Sequence, residues 1–506
     1  MPNSTTNNKR IAKNTVFLYF RTFVIILISL YTSRVVLEVL GETDFGIYNL
    51  VGGIVVLFTF MNAAMSSATQ RFLNYELGRN NIQEVGRVFS MSLTVHFCIA
   101  AAILIIGETV GLWFVMTQLN IPSERYDAAM WVYHLSLIGC CVNIIRIPYN
   151  ACIIAYERMS FYAYASIIES VLRLGIVFLL LLTTDDKLII YSTLMLVVIF
   201  ITNVIYILYC RGQFVTSHYR FFWDQSLFIK LMGFSGWSMF GSMANVGVSQ
   251  GINIFFNIFY GVVLNAALGI AQQIQAAIGS FVSSFQTAFS PQIVKTYAAN
   301  EKDEFVNLIC RTSRLSYCLV FIIAPALIVC IEPILQVWLT VVPEYTAEFA
   351  AIFIVFCMID ALSGPLWISV QATGYIKRYQ ILMSFLIAMN LPIMYVMLQA
   401  GISPMYVMGV RVIINVITHF TRIVYLKRHL EFPAMHYMKS VMLRVCLMTI
   451  VSIPSCIMAK FYSDSLMGAS IVFTIIVIQN LFLAFFIGLS YTERNSLLTY
   501  CKKAIW

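Results

Sequence analysis

The sequence predicts an all-α integral membrane protein of about fourteen transmembrane helices. Of its 506 residues, 60% are hydrophobic and only 11% are charged, whereas soluble globular proteins carry roughly 25% charged residues. The mean hydropathy is +0.84. The apolar residues fall in runs of about 20, the length at which a helix crosses a hydrocarbon core of roughly 30 Å with its backbone hydrogen bonds satisfied. The predicted spans are 15–37, 45–67, 88–115, 126–148, 160–182, 187–210, 233–258, 262–290, 306–332, 345–372, 380–399, 404–427, 439–460 and 467–490.

The distribution of basic residues predicts the orientation of these spans. Of the 32 lysines and arginines, 22 fall on one predicted side, including Arg146 at the end of the fourth span, and seven arginines lie inside spans. Only Arg125, Lys187 and Lys460 fall on the other side. Basic loops stay in the cytoplasm, so both termini are predicted to be cytoplasmic. This asymmetry also accounts for the net charge of +9, and no nucleic-acid partner is expected.

Other features of the sequence exclude several classes of protein. The polar, basic N-terminus precedes an apolar stretch long enough to span, so no cleavable signal peptide is expected. The twelve cysteines lie mostly in apolar runs, which is typical of small buried side chains and not of disulfides. No nucleophile–base pair, metal motif or phosphate loop stands out. We therefore expect no enzyme activity, no metal site and no cofactor.

A gapless shift of 220 residues aligns residues 40–87 with 260–307. The identical pairs include Gly41 and Gly261, Ile54 and Ile274, Ala68 and Ala288, Asn80 and Asn300, and Glu84 and Glu304. The second span falls on the eighth, which predicts two parallel six-helix lobes, a known transporter plan with the substrate site between the halves. The predicted domains are an N-lobe at 1–210, an interfacial linker at 211–232, a C-lobe at 233–430, and two further helices with a cytoplasmic C-terminus at 431–506. Six aromatic residues favour an interfacial helix over a simple linker at 211–230.

The segment Asn14 to Ile54, NTVFLYFRTFVIILISLYTSRVVLEVLGETDFGIYNLVGGI, resembles the polysaccharide flippases of the MOP superfamily. The pattern is a first helix ending in TSR-x-x-L, a turn LG-x-x-DFG-x-Y, and the polar loop ATQRFLNYELGR after the second helix. The resemblance is sharp over roughly the first 90 residues and covers the rest in topology alone. It implies a MATE/MOP-like fold with a V-shaped central cavity open to one side at a time. It also implies a flippase that moves undecaprenyl-diphosphate-linked O-antigen or capsule units from the cytoplasmic to the periplasmic leaflet of a bacterial inner membrane.

Two relatives within the superfamily remain as alternatives. Multidrug or metabolite exporters share the fold, usually with twelve spans and with acidic coupling sites in the first lobe. Here the first two spans hold Arg21 and Arg34 and no obvious mid-membrane acid, which favours an anionic substrate. Peptidoglycan-precursor flippases also have fourteen spans and a basic cavity. The expected partners are the lipid-linked oligosaccharide, membrane lipids and other glycan-assembly membrane proteins, and we expect a monomer.

Charged residues inside the spans are the candidate site residues, because each costs at least a few kcal/mol at mid-bilayer unless it faces a cavity or a partner. Arginine suits phosphate better than lysine, so Arg21 and Arg34 are candidates for the diphosphate. Either could instead pair with a carbonyl or extend to the headgroups.

Other intramembrane charges are candidate cavity or coupling groups. Glu169 and Arg173 share a helix face at the favourable i, i+4 spacing, as a structural pair or as a pair that breaks on substrate binding. Asp360 could be a proton or sodium site, or a partner for Arg411. Three further arginines near cytoplasmic ends are expected to extend to the headgroups: Arg314, Arg422 and Arg444.

Polar residues concentrate in the seventh and eighth spans. This pattern suits a hydrated cavity wall that contacts sugars, and tight small-residue helix packing is the alternative. The wall residues are Asn245, Gln250, Asn253, Asn257, Gln272 and Gln273.

Overall fold

The computed structural model describes residues 14, 16–29, 31–32, 35–36, 39–40, 44, 47–48, 59–118, 123–183, 185–260, 262–339, 342–462, 465–491 and 493–495. Throughout these residues the regular structure is helical and no strand is present. The helices, numbered in chain order, are α1 (Val16–Ser29), α2 (Thr59–Gly78), α3 (Ile82–Thr117), α4 (Tyr126–Ala155), α5 (Met159–Leu180), α6 (Lys187–Gln213), α7 (Gln225–Tyr260), α8 (Val262–Ala298), α9 (Lys302–Val329), α10 (Thr346–Thr373), α11 (Lys377–Gln399), α12 (Pro404–Leu430), α13 (Ala434–Lys460) and α14 (Leu466–Gly488). A short helix, Ile331–Trp338, follows α9.

Each predicted span overlaps one of these helices, so the all-helical fold prediction is confirmed. In the described part of the chain, ten helices are long and apolar enough to cross a membrane: α3 to α6 and α9 to α14. The described part of α1 is apolar but shorter. The described parts of α2, α7 and α8 are not among these ten.

The chain divides into two compact units, residues 1–242 and 243–506. In the first unit, α4 packs against α2, α3 and α6. In the second unit, α10 packs against α8, α9 and α12. Under the predicted repeat these are equivalent helices, so the same packing pattern occurs within each unit.

The backbone turns after α2 and α8 also obey the 220-residue shift. Helix α2 ends at Gly78 and α8 at Ala298, and the next helices begin at Ile82 and Lys302. Asn80 and Asn300 are both left-handed, with φ of 57° and 58°. The Asn81 N–H donates to the Glu76 carbonyl at 3.0 Å, and the Glu301 N–H donates to the Thr296 carbonyl at 3.0 Å. Asparagine tolerates this conformation better than other non-glycine residues, which explains its use at both turns.

The segment between α6 and α7 corrects one prediction. Residues 218–224 are not helical, so an interfacial helix across 211–230 is wrong. The segment is instead held against α3: the Tyr219 hydroxyl lies 3.2 Å from Thr94 Oγ1, and the Arg220 N–H donates to Ser90 Oγ at 3.3 Å. Phe214 is buried in the core of the first unit. Part of the aromatic content therefore serves packing within the protein.

Arg314 likewise departs from its prediction. It does not extend outward but is buried, with 6% of its side chain exposed. Its Nη2 donates to both carboxylate oxygens of Glu493 at 2.7 and 2.6 Å, and its Nη1 donates to the Ser440 carbonyl at 3.1 Å. Burial opposes the charged form of Glu493, but the charges of Arg314 and Arg311 and the hydrogen bonds from Ser490 together outweigh it and hold the carboxyl pKa below its usual range. This pair anchors the chain after α14 to α9.

A second charged cluster joins three connections of the first unit. Arg125 donates through Nε and Nη2 to Asp44 at 2.8 and 2.6 Å, and through Nη1 to Asp186 at 2.6 Å. Asp44 belongs to the DFG motif of the sequence. Asp186 also accepts from the Leu188 N–H at 3.0 Å and so caps α6. The hydrogen bond from Arg125 lowers the pKa of Asp186.

Replacing Asn80 or Asn300 by alanine should destabilise the protein by about 1 kcal/mol in each case, because alanine resists the left-handed backbone. Glycine at either position should be neutral or stabilising. Thermal unfolding in detergent, followed by tryptophan fluorescence, measures both effects. Unchanged stability of either alanine variant would contradict the conformational strain expected at that turn.

Arg125→Ala should lower the melting temperature at pH 7, because it leaves two partly buried carboxylates without their donor, a loss of about 1–3 kcal/mol. The folded-state pKa of Asp186 is depressed, so this stabilisation is present above the unfolded pKa of about 3.9 and is lost as the pH falls through the folded value. The difference between variant and wild type should therefore shrink below about pH 4. The matched control is Lys302→Ala, whose pair with Glu431 at 3.5 Å is exposed and should contribute little. If both variants lost the same amount of stability, the Arg125 cluster would contribute no more than an exposed ion pair does.

Candidate functional site

A cavity of about 510 Å³ lies inside the first unit. Helices α1, α4, α5 and α6 line it, together with residues between α1 and α2. Its charged lining residues are Arg21, Arg146, Glu169 and Arg173. All four lie within predicted or observed spans, where a charge must face water or a partner.

Glu169 is held between two arginines. Its Oε1 accepts from Arg173 Nη2 at 2.6 Å, and its Oε2 accepts from Arg146 Nη1 at 3.0 Å. Arg173 is one turn away on α5, whereas Arg146 comes from α4. Arg146 also donates to Thr202 Oγ1 on α6 at 3.4 Å and lies over the Tyr206 ring at 5.3 Å. The cluster thus joins three helices through charge-assisted hydrogen bonds.

Arg21 forms a different kind of contact. Its guanidinium lies over the ring of Tyr162, 4.6 Å from the centroid, a cation–π contact between α1 and α5. Its Nε is buried and has no hydrogen-bond partner among the described residues. Arg21 also lines the cavity, and no ion pair within the described residues neutralises its charge.

The cavity carries a positive charge. Three guanidinium groups against one carboxylate, 3 − 1, leave a formal charge of +2 on the lining residues. Protein surrounds this charge and screens it less than bulk water does. The cavity is therefore suited to an anion with more than one negative charge.

The remaining lining is aromatic and polar. The aromatic lining residues are Tyr48, Tyr162, Tyr191 and Tyr206. The Ser166 and Ser170 hydroxyls donate to carbonyls of their own helix at 2.8 and 3.1 Å, which leaves their oxygens free to accept. Asn150 Oδ1 is a buried acceptor with no partner in the described part of the chain. Tyrosine faces together with hydrogen-bond acceptors can contact sugars.

Comparisons with known proteins identify the fold. Neither a family model nor a curated protein sequence matches this chain. Among solved structures, an outward-facing multidrug resistance MATE transporter of the MOP superfamily matches with a TM-score of 0.74 at 11% identity, over 84% of this chain and 96% of that one. A MATE structure in a bent conformation matches with a TM-score of 0.70 at 12% identity, over 86% and 97%. A MOP superfamily transporter from Pyrococcus furiosus, described by the reversed polarity of its binding pocket, matches with a TM-score of 0.71 at 11% identity, over 85% and 96%.

The chain has the fold of the MATE transporters of the MOP superfamily. The predicted fold class is confirmed, and the protein is a multi-pass membrane protein. The matched proteins are transporters, not enzymes. At 11–12% identity these matches establish the MATE-like fold alone, so the charged cavity has to be interpreted from its own residues.

Within this MATE-like fold, three predicted site residues of the first unit come together and a fourth was missed. Arg21, Glu169 and Arg173 line the same cavity, while Arg34 lies outside the described residues. Arg146 had been counted among the cytoplasmic basic residues, because the predicted fourth span stops at Pro148. Helix α4 continues through Pro148 to Ala155, which places Arg146 well inside the helix. The apolar run IPYNACIIA at 147–155 was the signal that could have extended the span.

The candidates in the second unit are arranged differently. Asp360 is exposed, and no ion pair joins it to Arg411 within the described chain, although the two lie within electrostatic range. The Arg411 guanidinium lies instead over Phe353 and Phe356, 4.9 and 5.0 Å from the ring centroids. The sequence left Asp360 as either an ion site or a partner of Arg411, and a direct pair with Arg411 is not observed among the described residues.

The polar residues of α7 and α8 form a local network in the second unit. Asn253 donates to Gln250 Oε1 at 3.4 Å, and Gln272 donates to Asn253 Oδ1 at 3.3 Å. Asn245 and Gln273 are exposed, and the side chain of Asn257 lies outside the described residues. Among the described residues no group of His, Cys, Asp and Glu could hold a metal ion.

Proposed function

We propose that this protein is a flippase. Its substrate would be an undecaprenyl-diphosphate-linked oligosaccharide, an O-antigen or capsule repeat unit, moved by alternating access from the cytoplasmic to the periplasmic leaflet of a bacterial inner membrane. Both termini would lie in the cytoplasm, as the basic loops predict. The observation that carries the proposal is the cavity with three arginines and one carboxylate.

The chemistry of a lipid diphosphate matches this cavity. A diphosphate diester carries two negative charges, and the lining residues carry a formal charge of +2. Each guanidinium presents five N–H donors in a planar fork that matches phosphate oxygens. All the basic lining residues are arginines, which bind phosphate through paired hydrogen bonds where lysine acts as a point charge.

The uncharged lining supports an oligosaccharide next to the diphosphate. Tyrosine faces can stack on sugar rings, and Asn150 and the serine oxygens offer acceptors to sugar hydroxyls. Such contacts have low specificity for the identity of the sugar, which suits a carrier of varied glycans.

A multidrug or metabolite exporter is the competing function. The matched MATE protein named as a multidrug transporter shares the fold, and the tyrosine-lined cavity could contact a flat organic molecule. Cationic compounds are disfavoured, however, because the net positive charge of the cavity repels them. An exporter on this fold would therefore carry organic anions.

The test is translocation of a fluorescent undecaprenyl-diphosphate oligosaccharide in proteoliposomes. Wild type should translocate it, and Arg21→Ala and Arg146→Ala should each lower the rate about tenfold or more. Removing one hydrogen bond to a charged group costs about 1.5–3 kcal/mol, and about 1.4 kcal/mol corresponds to tenfold. The matched control is Arg158→Ala, which removes an exposed arginine of the same unit just before α5 and should leave the rate unchanged.

Three other results would change these conclusions. Transport by both cavity variants at the wild-type rate would keep the flippase and reject the cavity as its diphosphate site. Equal loss in Arg158→Ala would point to a general loss of basic charge. Folded wild-type protein that exports an organic anion and leaves the lipid-linked glycan in place would replace the flippase by the exporter.

A further inference from the structure

Glu169 occupies the two arginines that a diphosphate would need. Both of its carboxylate oxygens are engaged, one by Arg173 at 2.6 Å and one by Arg146 at 3.0 Å. The carboxylate is largely buried, with 15% of its side chain exposed, whereas Arg173 is 39% exposed to the cavity. A carboxylate and a phosphate use the same face of a guanidinium, so the two anions compete for these donors.

We infer that Glu169 is a resident counter-anion that the phosphate groups of the substrate displace from Arg146 and Arg173. The inference rests on the proposed function and names the residue that sets substrate affinity and release in the same cavity. Glu169 is a positioning residue, since it acts on the substrate through the two arginines.

The geometry provides an order of events. Arg21 lines the cavity and has no carboxylate partner among the described residues, so a phosphate can bind it without displacing another anion. Arg146 and Arg173 become available only when Glu169 gives them up. Because Glu169 and Arg173 are four residues apart on one helix, the pair reforms readily when the anion leaves. A carrier that must release its substrate gains from this competition, since three unopposed arginines would hold a diphosphate strongly.

The exchange also alters the link between two helices. Arg146 lies on α4 and Glu169 on α5, and their 3.0 Å hydrogen bond is a direct charged contact between them. A phosphate that binds Arg146 replaces this interhelical bond with a bond to the substrate. Binding is thereby coupled to the packing of α4 against α5, which is the element-level change that a transport cycle requires.

The decisive variant is Glu169→Gln, which is nearly isosteric and raises the formal charge of the lining from +2 to +3. Binding is measured by calorimetry with inorganic pyrophosphate as the probe and protein in nanodiscs. Glu169→Gln should bind about tenfold more tightly than wild type. In the proteoliposome assay with the fluorescent lipid-linked oligosaccharide, both KM and kcat should fall, because binding tightens while release slows. If the ion pairs of Glu169 with Arg146 and Arg173 served only to stabilise the structure, Glu169→Gln should bind pyrophosphate more weakly than wild type, because the two arginines would be held less firmly.

Two further variants control the measurement. Glu84→Gln removes a carboxylate that pairs with Arg87 at 3.0 Å at the start of α3, outside the cavity, and should leave Kd unchanged. Glu169→Asp keeps the charge but is one methylene shorter, so it cannot span both arginines as glutamate does. The Kd of Glu169→Asp should fall between those of wild type and Glu169→Gln. If Glu169→Gln does not fold, the comparison of Glu169→Asp with wild type tests the inference.

The possible failures are distinguishable. A Kd in Glu169→Gln or Glu169→Asp that is unchanged or weaker than in wild type overturns the counter-anion role, and the flippase is then judged by wild-type transport alone. Absence of pyrophosphate binding in both wild type and Glu169→Gln overturns it as well. Tighter pyrophosphate binding in Glu169→Gln, together with no oligosaccharide transport by wild type, upholds the counter-anion role and assigns the cavity to another anionic substrate.

Discussion

The cost of placing charge inside a bilayer governs this structure. An arginine or glutamate within a span must be paired, stacked on an aromatic ring or exposed to water, and the described spans show all three solutions. Arg314 is paired with Glu493 and buried. Arg411 lies over two phenylalanines. Arg146, Glu169 and Arg173 form one cluster beside a cavity. Arg21 differs from these because it lines the cavity and stacks on Tyr162, with no carboxylate partner in the described chain.

The 220-residue repeat extends from the sequence to the backbone. Helices α2 and α8 are equivalent under this shift, and each is followed by a turn with a left-handed asparagine, Asn80 or Asn300. The same packing pattern recurs within each unit, since α4 contacts α2, α3 and α6 as α10 contacts α8, α9 and α12.

Hydropathy was sufficient to locate the helices, since span length and apolar content are local properties of the chain.

The site was only partly predictable. Arg21, Glu169 and Arg173 could be found because a charge in an apolar run is conspicuous. Arg146 was missed because it lies at the end of the predicted fourth span, whereas α4 loses one backbone hydrogen bond at Pro148 and continues to Ala155. The partner of Arg314 lies 179 residues away in the chain, and Tyr219 packs on Phe97 and Thr94 of α3. Periodicity carries no information about such distant pairings.

The matched structures share a fold but are named for different activities, and one is described by the reversed polarity of its pocket. The fold alone therefore leaves the substrate open, and the sign and arrangement of the charges inside it must decide. Here three arginines outnumber one carboxylate, so the cavity attracts anions. The single carboxylate is placed where it binds two arginines together, and in the described chain it does not contact Arg21. Under the proposed function, a cavity without Glu169 would hold a diphosphate more strongly, and a second carboxylate would weaken the attraction. In that proposal, one carboxylate among three arginines balances the capture of a doubly charged substrate against its release.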